Sequence, residues 1–146
     1  MQNRASSDFN HLLLIKASAG SGKTHRLTGE YLRLLFSAEN QYKHILAVTF
    51  TNKATDEMKS RVVKELYKLS KEEGSNYLEE LKKEFRLPES RIRERAATIL
   101  ENILHDYSAF SISTIDRFFQ QTLRAFTREM GLSGGYKLEL DDNFVL

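Results

Sequence analysis

The sequence has no cysteine and no tryptophan, a single proline, and seven glycines in 146 residues. Without cysteine there is no disulfide framework, no thiolate zinc site and no cysteine nucleophile. The four histidines, His11, His25, His44 and His105, do not form a metal-ligand spacing. Long apolar runs are missing too. The longest unbroken ones, residues 12–15 and 45–48, fall far short of a signal-peptide core or of the ~20 residues of a membrane span. No membrane contact is expected, and the expected location is the cytoplasm. An excess of one charge is also absent. The net charge of +2 is too small to argue nucleic-acid binding from electrostatics alone. Residues 53–106 hold twelve Lys or Arg and twelve Asp or Glu, interspersed, which is the pattern of solvated helix faces and not of a basic track.

What is present fits one domain of ordinary size. The chain is 40% hydrophobic and 29% charged, and nine Phe and six Tyr supply bulk for a core. It ends on Phe144-Val145-Leu146, where natural domain ends are polar and frayed. The expectation is therefore a fragment of a longer chain.

Hydrophobic periodicity sets out the elements. Residues 12–15 (Leu-Leu-Leu-Ile) suit a strand buried on both faces. A loop of small residues follows, and then a helix from Lys23, with Leu27, Tyr31, Leu34, Leu35 and Ala38 on one face. Residues 44–50 (His-Ile-Leu-Ala-Val-Thr-Phe) read as a second buried strand, completing a βαβ unit with parallel strands. A second helix starts near Lys53, capped by Thr51 or Asn52, with Ala54, Met58, Val62, Leu66 and Leu69 inward. Gly74-Ser75 interrupts it. Tyr77, Leu78, Leu81 and Phe85 mark a short helix that ends before Pro88. Another runs from about Ser90 to Asp106, with Ile92, Ala96, Ile99, Leu100 and Ile103 inward. Residues 109–114 suggest a third strand. The helix after it carries Ile115, Phe118, Phe119, Leu123, Phe126 and Met130 on its inner side. Residues 131–135 read as a loop.

One motif carries chemistry. Ala17-Ser18-Ala19-Gly20-Ser21-Gly22-Lys23-Thr24 stands between a strand and a helix, the context a phosphate-binding P-loop requires. Gly20 and Gly22 let the backbone turn tightly and bring N–H groups to phosphate oxygens. The helix from Lys23 aims its positive dipole end at the same anion. Lys23 would sit on the β- and γ-phosphates of ATP, Thr24 would place its hydroxyl on Mg²⁺, and the grip extends to His25. Ala17 replaces the glycine of the generic pattern, a mild change.

Two further stretches join a strand end to a helix start, where ligands bind in parallel α/β sheets. In Val48-Thr49-Phe50-Thr51-Asn52-Lys53-Ala54, Phe50 could stack on a base while Thr51 and Asn52 bind phosphate. The spacing equally fits a core Phe50 and a plain helix cap. In Ile112-Ser113-Thr114-Ile115-Asp116-Arg117-Phe118-Phe119, Thr114 is a natural cap, Asp116 suits the positive helix end, and the two Phe pack inward.

Together, these three stretches resemble the first motifs of superfamily one DNA helicases of the UvrD/Rep/PcrA and RecB/AddA group, in order and approximate spacing. The Ala-Ser-Ala-Gly start and the Ile-Ser-Thr-Ile-Asp-Arg-Phe form resemble RecB/AddA-type helicase–nucleases most. The resemblance covers most of residues 11–130. It implies an α/β P-loop NTPase with a RecA-like parallel sheet flanked by helices. This would be an incomplete first domain with a helical insertion at about 70–107 and the start of another at about 131–146. By position, Gly22, Lys23 and Thr24 would hold ATP and Mg²⁺. Phe50, Thr51, Asn52, Lys53 and Thr114 would lie on single-stranded DNA. The implied partners are single-stranded and duplex DNA, and a nuclease partner of the kind found in RecB/AddA-type complexes. Asp116 stands where the family often has His, and an acid repels phosphate.

Hydrolysis also needs an acidic pair at the end of a buried strand. The candidate, Asp141-Asp142, follows the alternating Tyr136-Lys137-Leu138-Glu139-Leu140, which reads as a half-exposed strand. It is rejected as the magnesium pair, and these residues alone are expected to turn over negligibly. Two other functions fit a P-loop of this length: a non-catalytic nucleotide- or DNA-binding module, and a different P-loop phosphotransferase. The Val-Thr-Phe-Thr-Asn-Lys-Ala stretch argues against the second.

Overall fold

The computed structural model describes residues 22–71 and 73–131. The first expected strand, residues 17–21 of the P-loop and the segment around Asp141-Asp142 lie outside them. Within them, five helices pack with a two-stranded parallel sheet. Helix α1, Lys23–Leu35, is followed by a 3₁₀ turn, Gln41–His44, and strand β1, Ala47–Thr49. Helix α2 spans Asn52–Ser70, α3 Leu78–Phe85 and α4 Glu89–His105. A 3₁₀ turn at Tyr107–Ala109 leads to strand β2, Ile112–Thr114, and helix α5, Ile115–Glu129. The strands pair in register Ala47↔Ile112, Val48↔Ser113 and Thr49↔Thr114.

Local chemistry explains the boundaries. Arg86 ends α3 in the left-handed region at φ 52, and Pro88 fills the N-cap position of α4, where a missing N–H costs nothing. Gly131 follows α5 at φ 66, a conformation glycine adopts freely. The core is built mainly between α2 and α4. Met58, Val62, Leu66 and Leu69 recur at helical spacing on one, and Ile92, Ala96, Ile99 and Ile103 on the other, all buried as their periodicity predicts. Each large aliphatic buried there contributes about 1.5–3 kcal/mol. Helix α1 adds Tyr31, Leu32 and Leu35, and Phe36 follows at its end. Tyr31 meets the edge of Phe110 at 5.9 Å.

Several expectations are corrected. The buried stripe of α1 runs through Thr28, Tyr31, Leu32 and Leu35, while Leu27 and Leu34 are exposed, and the helix stops before Ala38. The stripe can include a threonine because Thr28 Oγ1 donates to the Thr24 carbonyl at 2.8 Å, leaving no unpaired hydroxyl to bury. The strand expected over 44–50 is reduced to Ala47–Thr49 and is not buried on both faces, since Leu46 and Val48 are about half exposed. Helices cover one face of β1, and no described residue covers the other. The third strand is likewise shortened to Ile112–Thr114, because residues 107–109 turn as a 3₁₀ helix. Finally, α5 forms where expected but buries none of its residues. Phe119, Leu123, Phe126 and Met130 share one open face, so Phe119 does not pack inward. Phe118 is half-buried against it, ring centroids 5.7 Å apart.

Candidate functional site

The first group of candidate residues stands at the start of α1. Gly22 precedes the helix at φ 82 and ψ 10. A side chain there has free space, with nothing within 4 Å of an added Cβ. The demand for glycine is therefore conformational, worth about 1–2 kcal/mol for an L-residue in left-handed backbone. The Arg26 N–H closes the first helical turn on the Gly22 carbonyl at 2.9 Å. Among the described residues, no side chain caps this helix and no acid stands in its first turn. The first-turn N–H groups have no partner inside the helix, and the dipole end there is positive. Lys23, Thr24 and His25 are all exposed around them. A cleft of about 590 Å³ opens beside this turn, lined in part by Gly22, His25, Arg26, Tyr77, Glu80 and Glu84.

The second group gathers at the carboxyl ends of the two strands. The parallel register sets Thr49 beside Thr114, so α2 and α5 start from one edge of the sheet. Thr51 caps α2 by accepting the Ala54 N–H at 3.1 Å. Thr114 caps α5 by accepting the Arg117 N–H at 3.3 Å. Behind Thr51, the hydroxyls of Thr49 and Thr55 lie 2.6 Å apart, and both stand within 3.2 Å of the Thr51 carbonyl. One hydroxyl donates to the other, and the second donates to the carbonyl, which pins the turn between β1 and α2. That turn throws Phe50 outward: the residue is 89% exposed. Phe50 is a surface aromatic, not a core residue. Asn52 and Lys53 are exposed beside it, and Asp116 stands in the first turn of α5. Among the described residues, no hydrogen bond or ion pair joins this group to residues 22–25.

Sequence reasoning misses Tyr77, Gly29 and the Thr49–Thr55 pair. Periodicity marks Tyr77 only as an apolar helix residue, yet its hydroxyl donates to the His25 carbonyl at 3.0 Å and its ring stacks on His25. Gly29, isolated inside a helical pattern where glycine costs about 1 kcal/mol relative to alanine, is the available signal. Away from both groups, Lys43 and Asp106 pair at 2.9 Å, tying the turn before β1 to the end of α4. Their hydrogen bond raises the Lys43 ammonium and lowers the Asp106 carboxyl from their ordinary values.

A strand-end aromatic turned out to solvent beside two capped helix starts, with an uncapped helix after a left-handed glycine, matches the order of the three motifs. The family model for the UvrD/REP helicase N-terminal domain matches residues 1–145.

The chain belongs to the UvrD/REP helicase N-terminal domain family.

It is 32% identical over 141 residues to an ATP-dependent helicase/nuclease subunit of Lactobacillus acidophilus, covering 97% of this chain and 10% of that protein. It is 32% identical over 121 residues to the RecBCD enzyme subunit RecB of Borreliella burgdorferi, covering 83% of this chain and 10% of that protein. A shorter stretch of 49 residues is 53% identical to the ATP-dependent DNA helicase Rep of Escherichia coli, covering 34% of this chain and 7% of that protein. The chain therefore spans about a tenth of the length of the full relatives it matches. No solved structure matches it. Among the described residues, no helix is long and apolar enough to cross a membrane.

Proposed function

We propose that this chain is the nucleotide-binding amino-terminal part of an ATP-dependent DNA helicase of RecB/AddA type, active in DNA repair or recombination. Residues 1–146 are then part of a RecA-like first domain, with α3 and α4 as a helical insertion. Ala17 to His25 form the phosphate grip. Lys23 lies on the β- and γ-phosphates, and Thr24 offers its hydroxyl to Mg²⁺. Among the described residues, no group of three or more His, Asp or Glu side chains could hold a metal ion. Thr24 would help to hold a magnesium ion, which would supply positive charge at the phosphates. Hydrolysis also needs carboxylates to position water, so on this reading these residues alone bind nucleotide at best and turn it over negligibly.

Phe50, Thr51, Asn52, Lys53 and Thr114 are assigned to single-stranded DNA. The observation that carries the reading is the outward turn of Phe50 at the carboxyl edge of β1. An aromatic left in water there offers a base a stacking face, while the hydroxyl, amide and ammonium beside it offer contacts to phosphate. Cycles of ATP binding and hydrolysis would move DNA across this edge. The deciding experiment is DNA-stimulated ATPase by the full-length protein. Lys23→Ala should abolish it, and unchanged ATPase in that variant would sink the assignment.

A further inference from the structure

Glycine inside a helix costs about 1 kcal/mol relative to alanine, and α1 carries one at Gly29. Its reason lies across from it. A Cβ on Gly29 would meet Tyr77 Cε1 at 3.2 Å and Cδ1 at 3.4 Å. The Tyr77 ring lies on this bare stretch of helix and stacks on His25, one turn closer to the helix start, with centroids 4.6 Å apart and planes 23° from parallel. Its hydroxyl donates to the His25 carbonyl at 3.0 Å. Tyr77 is itself buried and held. Its N–H donates to Ser75 Oγ at 3.3 Å, and Ser75 Oγ donates to the Glu65 carboxylate at 2.9 Å. Glu65 belongs to α2, the helix whose first turn carries Asn52 and Lys53.

We propose that Tyr77 is a positioning residue for the nucleotide site, locking the first turns of α1 to α2 and so fixing the directions of Lys23 and Thr24. The proposal rests on the reading of Ala17 to Thr24 as a nucleotide grip. The physical need is clear. The first turn of a helix has the fewest internal hydrogen bonds, so tertiary contacts decide its orientation. Tyr77 supplies three of them within two turns: a stack on His25, a hydrogen bond to its carbonyl, and a steric seat on Gly29. Thr28 Oγ1 then ties the next turn to the Thr24 carbonyl. Burial raises the Tyr77 hydroxyl above its ordinary value, so it remains a donor at neutral pH. The contact joins His25 to Tyr77, 52 residues apart, and through Ser75 and Glu65 it reaches α2.

The test measures binding of a fluorescent ATP analogue with Mg²⁺, alongside urea stability, for the full-length protein and its variants Lys23→Ala, Tyr77→Phe, Tyr77→Leu, Gly29→Ala and Gly29→Ala with Tyr77→Leu. Tyr77→Phe keeps the ring and loses one hydrogen bond, and should weaken binding about fivefold. Tyr77→Leu should weaken it about tenfold or more, because the stack is lost as well. Gly29→Ala should weaken binding in the wild-type background. In the double variant it should have no further effect, because the ring that the new methyl group would meet is gone. That non-additivity in affinity separates positioning from a general loss of stability. If Tyr77→Leu fails to fold, Tyr77→Phe and Gly29→Ala decide. Binding lost in Lys23→Ala but unchanged in Tyr77→Phe and Gly29→Ala overturns the role of Tyr77 and leaves the nucleotide reading intact. No binding by the unmodified full-length protein, or equal binding by Lys23→Ala, overturns both.

Discussion

Replacing Phe50 by alanine separates stability from DNA affinity. A buried Phe→Ala substitution costs about 3–5 kcal/mol. Phe50 is 89% exposed, so only about a tenth of the ~150–250 Å² an aromatic can bury is removed from water. At ~25 cal/mol per Å² that is about 0.5 kcal/mol. Phe110 provides the matched control. It is 1% exposed and edge-packed on Tyr31 and Tyr107 at 5.9 and 5.8 Å, so Phe110→Ala should show the full loss of about 3–5 kcal/mol. Stacking of one base on an aromatic is worth about 1–3 kcal/mol, which corresponds to a roughly 5- to 150-fold loss of single-stranded DNA affinity for Phe50→Ala. Urea denaturation of the chain reads the first quantity. Fluorescence anisotropy of the full-length protein on a labelled oligonucleotide reads the second. A stability loss above about 2 kcal/mol would mean Phe50 is packed after all. Unchanged affinity with unchanged stability would remove Phe50 from the DNA-contact set.

Three further outcomes are expected. Thr51→Ala deletes the cap on the Ala54 N–H and should cost about 1 kcal/mol in denaturant unfolding; a variant as stable as the parent would mean that water satisfies that helix end equally well. Gly22→Ala places an L-residue at φ 82, so it should destabilise by about 1–2 kcal/mol and weaken Mg-ATP binding, and full retention of both would show that the turn relaxes freely. Tyr31 is 3% exposed, and its hydroxyl finds no partner among the described residues. Burial raises its pKa above the ordinary 10.0. The folded state thus holds the phenolic proton more tightly than the unfolded state does. Stability is unaffected below about pH 10 and falls as pH rises past it. Tyr31→Phe should be neutral or stabilising, by up to about 1–3 kcal/mol, and should flatten the alkaline decline in melting temperature. A marked loss of stability would mean that the hydroxyl is paired.

Much of the secondary structure is legible in the sequence because its causes are local. Met58, Val62, Leu66 and Leu69 define the inner face of α2 by spacing alone, and Ile92, Ala96, Ile99 and Ile103 do the same for α4. Thr51 and Thr114 each stand three residues before the N–H they accept, as helix-start chemistry requires. Pro88 lies between α3 and α4 because it cannot supply an interior N–H. The motif order, and with it the family, is also carried by the residues themselves. Periodicity misplaces the α1 stripe, because counting apolar residues favours Leu27 and Leu34 over Thr28, whose polarity is cancelled by a bond to Thr24 that composition does not reveal.

The sequence by itself therefore determined where the helices form and which motifs stand at their starts, because these follow from backbone sterics and hydrogen bonds over three or four residues. Only the tertiary structure decided which apolar faces are covered. Periodicity marks α5 as amphipathic, yet Phe119, Leu123 and Phe126 stay about half exposed on one face, and one face of β1 is open in the same way. It also decided that Phe50 turns to water and that Tyr77 lies on Gly29. Both depend on side-chain contacts outside any helical or strand period: β1 ends in the Thr49–Thr55 hydroxyl pair, and the loop before α3 is held to α2 through Ser75 and Glu65 and reaches His25 through Tyr77. No local period encodes such contacts, because their free energy belongs to the packed chain and not to either segment.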